Sequence, residues 1–370
     1  MKLLEAYKAQ RPPMDESLAV QFPIIRGLLE SMNIPCIAMD GYEGDDILGT
    51  MAARGEANGD RVYLITGDKD AYQLASETTS IMTTRKGMSD VVIYTPEKVV
   101  ELYKAVGLEL PGKVAVKVHS GEPGNQNFLT PEFWQPMVET VHGTIVECNT
   151  AYPGERNTTD AHRRTMIKHG WSKLFDVDIL DAEGPDLELP IPNGKRIQKN
   201  LVGKDIKNYD SMLVLSHFKG HPMGGFGGAL KQLSIGCASS AGKANIHGAG
   251  KPEEMWTTEQ NAFLESMADA AESVVKLFDG KIVYINVMKN MSVDCDCCAV
   301  AEDPCMKDIG ILASLDPIAI DQACLDLVYA SDDPGRDHLV ERIESLNGVH
   351  TVEAAAELGF GSREYELIEL

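Results

Sequence analysis

The first hundred residues of this 370-residue chain contain no histidine and only one cysteine, Cys36, although the whole chain holds 9 His and 8 Cys. That stretch carries only carboxylate motifs, Glu43-Gly44-Asp45-Asp46 and Thr66-Gly67-Asp68-Lys69-Asp70. Hard oxygen donors suit Mg²⁺ or Mn²⁺, whereas thiolates and imidazoles suit zinc, iron or iron–sulfur clusters. Two kinds of site therefore share one polypeptide.

A surplus of positive charge is also lacking. The net charge of −22 argues against general affinity for a phosphate backbone, leaving at most a local basic groove. No run of eighteen apolar residues exists, so a membrane-spanning helix is not indicated. The opening MKLLEAYKAQRPPM is too polar for a signal-peptide core, and the expected location is the cytoplasm. Internal repeats and low-complexity tracts are absent. The cysteines are not spread as in a secreted disulfide framework: four of them fall within Asp294–Cys305, which reads as a ligand set in a reducing compartment. With 44% hydrophobic and 24% charged residues, the chain is ordinary globular material, long enough for two domains with separate cores.

Helix and strand signals alternate throughout. Leu18–Met32 has helical periodicity, a short run Pro35–Met39 follows, and a helix opens at Glu43-Gly44-Asp45-Asp46. Arg61–Thr66 is a buried-strand pattern, with a new helix from Lys69. Both acidic clusters thus fall at the carboxyl ends of strands, where open α/β sheets place their sites. A strand and a fresh helix start follow near Met88–Pro96, and the texture changes around Leu108–Lys113. Beyond it, strands are predicted at Val114–Val118, Thr144–Asn149, Met212–His217, Lys281–Val287 and Ile309–Ala313. Helices are predicted at Thr159–His169, Gln260–Phe278, Pro317–Tyr329 and His338–Leu346. The fold class is α/β in both halves, with a mixed or mostly parallel sheet in the larger second one.

Glu43, Asp45, Asp46, Asp68 and Asp70 can converge as a divalent-metal cluster, of the kind that hydrolyses phosphodiesters with two ions about 4 Å apart. Acids at helix N-termini also simply cap and complement the dipole. Three segments decide between these: Tyr7–Met14 (YKAQRPPM), Gly41–Thr50 (GYEGDDILGT) and Thr66–Asp70 (TGDKD) closely resemble the 5′ nuclease domain of bacterial DNA polymerase I. The resemblance covers residues 1–103 and implies Mg²⁺ or Mn²⁺ at the five acids, with Lys8 and Arg11 facing DNA. It begins in mid-domain: the family's opening strand with its first aspartate has no counterpart, nor has the later acidic pair with its helix–hairpin–helix clamp. Gly44 also replaces the usual alanine. The expectation is a truncated nuclease-like α/β segment with weak or no 5′–3′ exonuclease activity and no DNA partner.

The second half carries sulfur and imidazole. Cys295, Cys297, Cys298 and Cys305 are spaced C-x-C-C-x6-C, neither a zinc knuckle nor a ferredoxin run, with Cys237 and Cys148 as distant additions. Buried free cysteine is otherwise a common core residue, the expected role of Cys148 and Cys324. His217, Lys219 and His221 follow a strand and point the same way if the extended conformation persists, giving a surface of two imidazoles and one ammonium. The glycines after them, including Gly227 and Gly228, let backbone amides approach a ligand, and a helix opening at Ala229 would favour an anion. His119 and Glu122, after the strand at Val114, can add a base or ligand to the same mouth.

Lys117–Asn125 (KVHSGEPGN), Cys148-Asn149-Thr150, Ser216–His221 (SHFKGH), Gly224–Lys231 (GGFGGALK), Gly236-Cys237, Gly242-Lys243, His247, Cys295-Asp296-Cys297 and Asp316–Asp321 (DPIAID) resemble the family catalogued as domain of unknown function three-six-two. The ending Ser362–Leu367 fits it too, so the resemblance spans nearly all of residues 108–370. It implies an iron–sulfur-associated protein, here without the ferredoxin-like insert, since Glu253–Phe278 lacks cysteine. Residues 1–103 and 104–370 are thus expected as a nuclease-like segment and a metal- or iron–sulfur-associated domain. The function read from the sequence is a metal- or iron–sulfur-binding, redox-related protein with a redox partner or a small anionic ligand. Its metal ligands are Cys295, Cys297, Cys298, Cys305, His217 and His221; His119, Glu122, Asn149, Lys219, Gly227, Gly228, Lys231, Cys237, Lys243 and His247 line the pocket. A divalent-metal nuclease and a non-catalytic anion-binding module are the alternatives.

Overall fold

The structure is a computed structural model of the chain, describing residues 21–32, 34–39, 42, 44–66, 74, 76, 78–84, 91–93 and 95–370. It forms two compact units, Met1–Thr95 and Pro96–Leu370.

In the first unit, helices Gln21–Ser31 and Gly44–Ala57 accompany a three-stranded sheet ordered β1 (Val62–Ile65), β2 (Thr79–Thr84), β3 (Val91–Ile93). β1 and β2 are parallel, β2 and β3 antiparallel. Alternation along β1 turns Leu64 inward, against Ile81 of β2 and Ala52 of the second helix, and leaves Tyr63 and Ile65 exposed. The helix expected from Lys69 lies outside the described residues.

The second unit opens with helix Pro96–Val106, whose Val99 and Tyr103 enter the same core as Val116 and Trp134, so the division falls ahead of this helix. The central sheet has six strands in the order β13 (Gly310–Ser314), β12 (Ile282–Met288), β9 (Ser211–His217), β4 (Val114–Lys117), β5 (Thr144–Glu147) and β6 (Val177–Ile179). Neighbours are parallel except β12 and β13. β4, β9 and β12 are buried at every residue, as a sheet covered on both faces demands. Ala115, Met212, Val214, Ile282 and Tyr284 point to one face, where helices Gln260–Phe278 and Pro317–Ala330 lie. Val116, Leu213, Leu215, Val283 and Ile285 point to the other, against Val99, Trp134, Met137 and Val138.

The chain lays down β4, β5 and β6 outward in one direction, then returns to place β9 on the far side of β4 and β12 beyond it. This reversal opens a crevice at the carboxyl ends of β4 and β9, the place where ligands bind in doubly wound sheets. Two hairpins flank the sheet, β7 (Leu187–Pro190) with β8 (Lys199–Val202) and β10 (Lys219–His221) with β11 (Gly225–Gly227). Among the described residues, no helix is long and apolar enough to cross a membrane.

Candidate functional site

Two buried charges close adjacent strands at the crevice. Lys117, the last residue of β4, donates to Glu147, the last of β5, at 2.6 Å. Arg156 extends the network, 2.8 Å from Glu122 and 3.9 Å from Glu147, and the Tyr152 hydroxyl donates to Glu122 at 3.1 Å. Burial pushes the Glu147 carboxyl up, but the Lys117 ammonium beside it prevails and holds it well below the usual carboxylate range. Gly236 leaves room for this arrangement, since a Cβ there would lie 2.7 Å from Lys117 Cε and make the lysine shift.

The cysteine loop after β12 has no regular structure and is fixed by side chains from the loop after β4. Asn125 donates to the Cys298 carbonyl at 2.8 Å, Asn127 to that of Glu302 at 2.7 Å, and the Glu122 amide to that of Asp296 at 2.8 Å. The ligand atoms of His221, Cys295 and Cys297 all lie within 4.8 Å of one another, the only such His/Cys/acid group among the described residues. Burial would raise the Cys295 thiol; its hydrogen bond with Cys297 and the ammonium groups of Lys231 and Lys219 reverse this and hold it well below the ordinary range. Lys231 Nζ is 3.9 Å from Cys295 Sγ. The hydrogen bond with Cys297 lowers the Cys298 thiol as well.

Asp296 claims two of the residues read as pocket groups. Its carboxylate accepts from His217 Nδ1 at 2.9 Å and from Lys219 Nζ at 2.7 Å. His217 Nε2 meanwhile donates to the Lys289 carbonyl at 2.6 Å. Both nitrogens of His217 therefore face oxygen acceptors, and this orientation leaves no lone pair for the metal expected there. Cys305 is likewise outside the sulfur group: its thiol donates to the Met291 carbonyl at 3.3 Å and it packs against the main core. Cys237 and Cys148 are buried thiols bonded to the carbonyls of Gln232 and Cys237, and burial pushes Cys237 up to about 11.

The partners of each imidazole assign its tautomer. His221 Nδ1 accepts from the Met223 and Gly224 amides at 3.1 and 2.9 Å, and His119 Nδ1 accepts from Gly121 at 3.1 Å. Each of these rings then carries its proton on Nε2. His221 Nε2 lies 3.8 Å from Cys297 Sγ, and so faces the sulfurs as an N–H donor. A metal-ligating imidazole instead donates its second N–H outward, so His221 does not fit the ligand role expected of it. His247 is the opposite case. Its Nδ1 donates to the Lys243 carbonyl at 2.7 Å, leaving Nε2 as the lone-pair nitrogen, while the ring stacks on Phe263. Burial depresses both His221 and His247 to about 4.

These groups border a cavity of about 380 Å³. Its polar lining includes Lys231, Lys243, His119, His247, Cys297 and Cys298 beside the paired Lys117, Glu147 and Arg156; its apolar lining includes Tyr152, Met223, Met255 and Trp256. Of the other residues expected in the pocket, Asn149 turns away, donating to Thr159 at 3.0 Å, and Glu122 serves Arg156. Gly227 pairs with Lys219 across the β10–β11 hairpin. The anion site expected at Gly228 and Ala229 is already filled from within: the Ala229 and Leu230 amides donate to Asp321 at 2.7 and 2.9 Å. Glu147, Tyr152, Arg156 and Trp256 were not read from the sequence, although a charge ending an otherwise apolar strand, as in Val114–Lys117 and Thr144–Glu147, was an available signal.

In the first unit, Asp45 and Asp46 stand in the opening turn of helix Gly44–Ala57, where they complement its dipole. Glu43, Asp68 and Asp70 lie outside the described residues.

Comparison with known proteins follows the same division. Residues 1–104 match the 5′-3′ exonuclease, N-terminal resolvase-like domain. DNA polymerase I of Geobacillus stearothermophilus is 48% identical over 97 residues, covering 26% of this chain and 11% of that protein. The Bacillus subtilis (strain 168) enzyme is 44% identical over 97 residues, with the same coverage of 26% and 11%. The chain thus spans about a tenth of the length of these relatives. Among solved structures, the lactate racemase apoprotein from Thermoanaerobacterium thermosaccharolyticum aligns at a TM-score of 0.40 with 13% identity, over 69% of this chain and 63% of that one. A Thermotoga maritima protein aligns at 0.35, also with 13% identity, over 71% and 59%. Both likenesses are too loose to carry chemistry across. Residues 114–326 match the family described as Domain of unknown function (DUF362), and with more than half of its length inside that match the chain belongs to this family.

Proposed function

We propose that the second unit holds a soft transition-metal ion or an iron–sulfur cluster through the thiolates of Cys295 and Cys297, with Cys298 as third ligand, at the edge of a cavity that takes an anionic molecule. The observation that carries this reading is the convergence of the Cys295 and Cys297 sulfurs within 4.8 Å of each other, with the His221 imidazole beside them as a hydrogen-bond donor. The donor set is sulfur-rich, which suits soft or borderline metals rather than Mg²⁺ or Ca²⁺. Cys297 and Cys298 also border the cavity, so one side of such a centre would be open to a ligand. Lys219 and Lys231 compensate the negative charge of the thiolates, and the Nε2–H of His221 is oriented to hydrogen-bond a sulfur, an interaction that tunes reduction potential. Bound there, the group would supply one-electron chemistry or polarise the bound anion.

Anaerobic purification, reconstitution with iron and sulfide, and separately with zinc, followed by metal analysis and absorption spectroscopy, tests the proposal. Stoichiometric metal that is lost in Cys295→Ser and Cys297→Ser but retained in Cys305→Ser is the expected result. A colourless, metal-free protein after both treatments would sink it.

A further inference from the structure

The cavity contains a second set of groups whose role does not depend on what the thiols hold. Lys243 lies on helix Ser240–His247 with only 7% of its surface exposed. Its ammonium donates to the Ala238 carbonyl at 2.6 Å, and among the described residues no carboxylate lies within ion-pair distance of it. Lys231, on the same lining, has the Cys295 sulfur at 3.9 Å and, among the described residues, no carboxylate within ion-pair distance. The contrast with the neighbouring cations is sharp: Lys117 is paired with Glu147, and Arg156 with Glu122. Burying an ammonium without a directly paired counter-ion is unfavourable, and for Lys243 burial pushes the pKa down against the opposing pull of the Asp181 and Glu147 carboxylates. A negatively charged ligand would remove that penalty.

Two further features narrow the ligand. His247 Nε2 is an acceptor without a protein partner among the described residues, so it calls for a ligand that brings its own hydrogen-bond donor. Tyr152, Met223, Met255 and Trp256 form the apolar walls, with Trp256 63% exposed. The usual devices for phosphate are already engaged, since Arg156 is held by Glu122 and the amides of Ala229 and Leu230 by Asp321. We propose that this cavity binds a small organic carboxylate with a flat apolar body and a hydroxyl group: Lys243, assisted by Lys231, meets the carboxylate, His247 Nε2 accepts from the hydroxyl, and the body lies against Tyr152 and Trp256.

The test is calorimetric titration of the full, metal-free chain with four probes, 3-hydroxybenzoate, benzoate, phenol and inorganic phosphate. 3-Hydroxybenzoate binds most tightly, benzoate about 5-fold more weakly for want of one hydrogen bond, and phenol and phosphate more weakly still. Lys243→Met weakens 3-hydroxybenzoate at least 10-fold but leaves phenol unchanged, as expected for a lost charge-assisted contact. Lys231→Gln, at a partly exposed position, gives a smaller loss and guards against misfolding of the first variant. His247→Phe removes the difference between 3-hydroxybenzoate and benzoate. Because the titrated chain holds no metal, binding there separates this proposal from the thiolate centre. Phosphate binding more tightly than 3-hydroxybenzoate, 3-hydroxybenzoate binding unchanged in a folded Lys243→Met protein, or no binding of any probe at millimolar concentration would each overturn it.

Discussion

β1 of the first unit buries one face, with Leu64 inside and Tyr63 and Ile65 at 51% and 69% exposure, whereas β9 and β12 of the second bury both faces along their whole length. Both sheets follow the same two-residue alternation; they differ in what covers them. Where helices lie on both faces, the strand ends are fixed in position, and charged side chains such as Lys117 and Glu147 can be held in one geometry away from water. The described residues of the first unit muster a core of Ala52, Leu64 and Ile81, and much of their apolar surface, including Ile24, Leu28, Met39 and Tyr42, is exposed. The carboxylates of the first unit and the thiols of the second are equally conspicuous in sequence; Glu43, Asp68 and Asp70 lie outside the described residues, whereas Cys295 and Cys297 come together beside His221.

This contrast can be broken by experiment. Leu213, fully buried on the face shared with Trp134 and Trp171, is the most sensitive position considered: Leu213→Ala should destabilise the second unit by about 3–5 kcal/mol. All three tryptophans, Trp134, Trp171 and Trp256, belong to this unit, so denaturant unfolding followed by tryptophan fluorescence reports on it alone. A loss under 1 kcal/mol would mean that the face is looser than described.

The next effect is pH-dependent. His162 is fully buried, with Nδ1 3.4 Å from Asn149 Oδ1, and burial lowers its pKa to about 3. The unfolded chain binds this proton near pH 6.5 and the folded chain does not, so the stabilising contribution is present above about 6.5 and is lost as pH falls toward about 3. At pH 4.5 the deficit is about 2–3 kcal/mol. The difference in unfolding free energy between the natural chain and His162→Gln, followed from pH 7 to 4.5, isolates it from the many carboxylates; a flat difference would refute the assignment.

Asn125→Ala, which removes the clamp on the Cys298 carbonyl, should lower stability by about 1 kcal/mol and loosen the cysteine loop, seen as faster alkylation of Cys297 and Cys298. Unchanged alkylation would show that the loop is held by other contacts. The smallest effect is expected in the first unit. Ile65→Ser, on its open face, should alter the tryptophan-reported transition by less than about 0.5 kcal/mol. A shift above 1 kcal/mol would show that this exposed face matters to the second unit's stability.

Much of the architecture was legible because periodicity is local. Helix Gln260–Phe278 has the bounds that the spacing of Phe263, Met267, Ala271, Val274 and Phe278 indicated, and β4, β5, β9, β12 and β13 fall within a residue or two of the runs that announced them. Weaker patterns went unread. Helix Pro131–Val141 carries an internal Pro136, and the three- and four-residue strands β6, β7 and β8 are too short to show alternation. In the site, alternation correctly aimed His217 and Lys219 to one side, where both reach Asp296. The density of cysteine in 294–305 likewise pointed to the loop that delivers Cys295 and Cys297, yet not to the separation of Cys305 from them.

What the sequence determined by itself, then, is the alternation of helices and strands, the kinship of each half and the neighbourhood of the sulfur chemistry, all of which depend on residues close together in the chain. Tertiary structure alone decided which atoms are available. The amides of Met223 and Gly224 turn His221 into a donor, the Lys243 carbonyl turns His247 into an acceptor, Asp296 occupies His217, and Asp321 fills the helix terminus that awaited an anion. The physical reason is that a side chain's residue type sets which donors and acceptors it has, but only its folded neighbours determine which of them remain for a ligand.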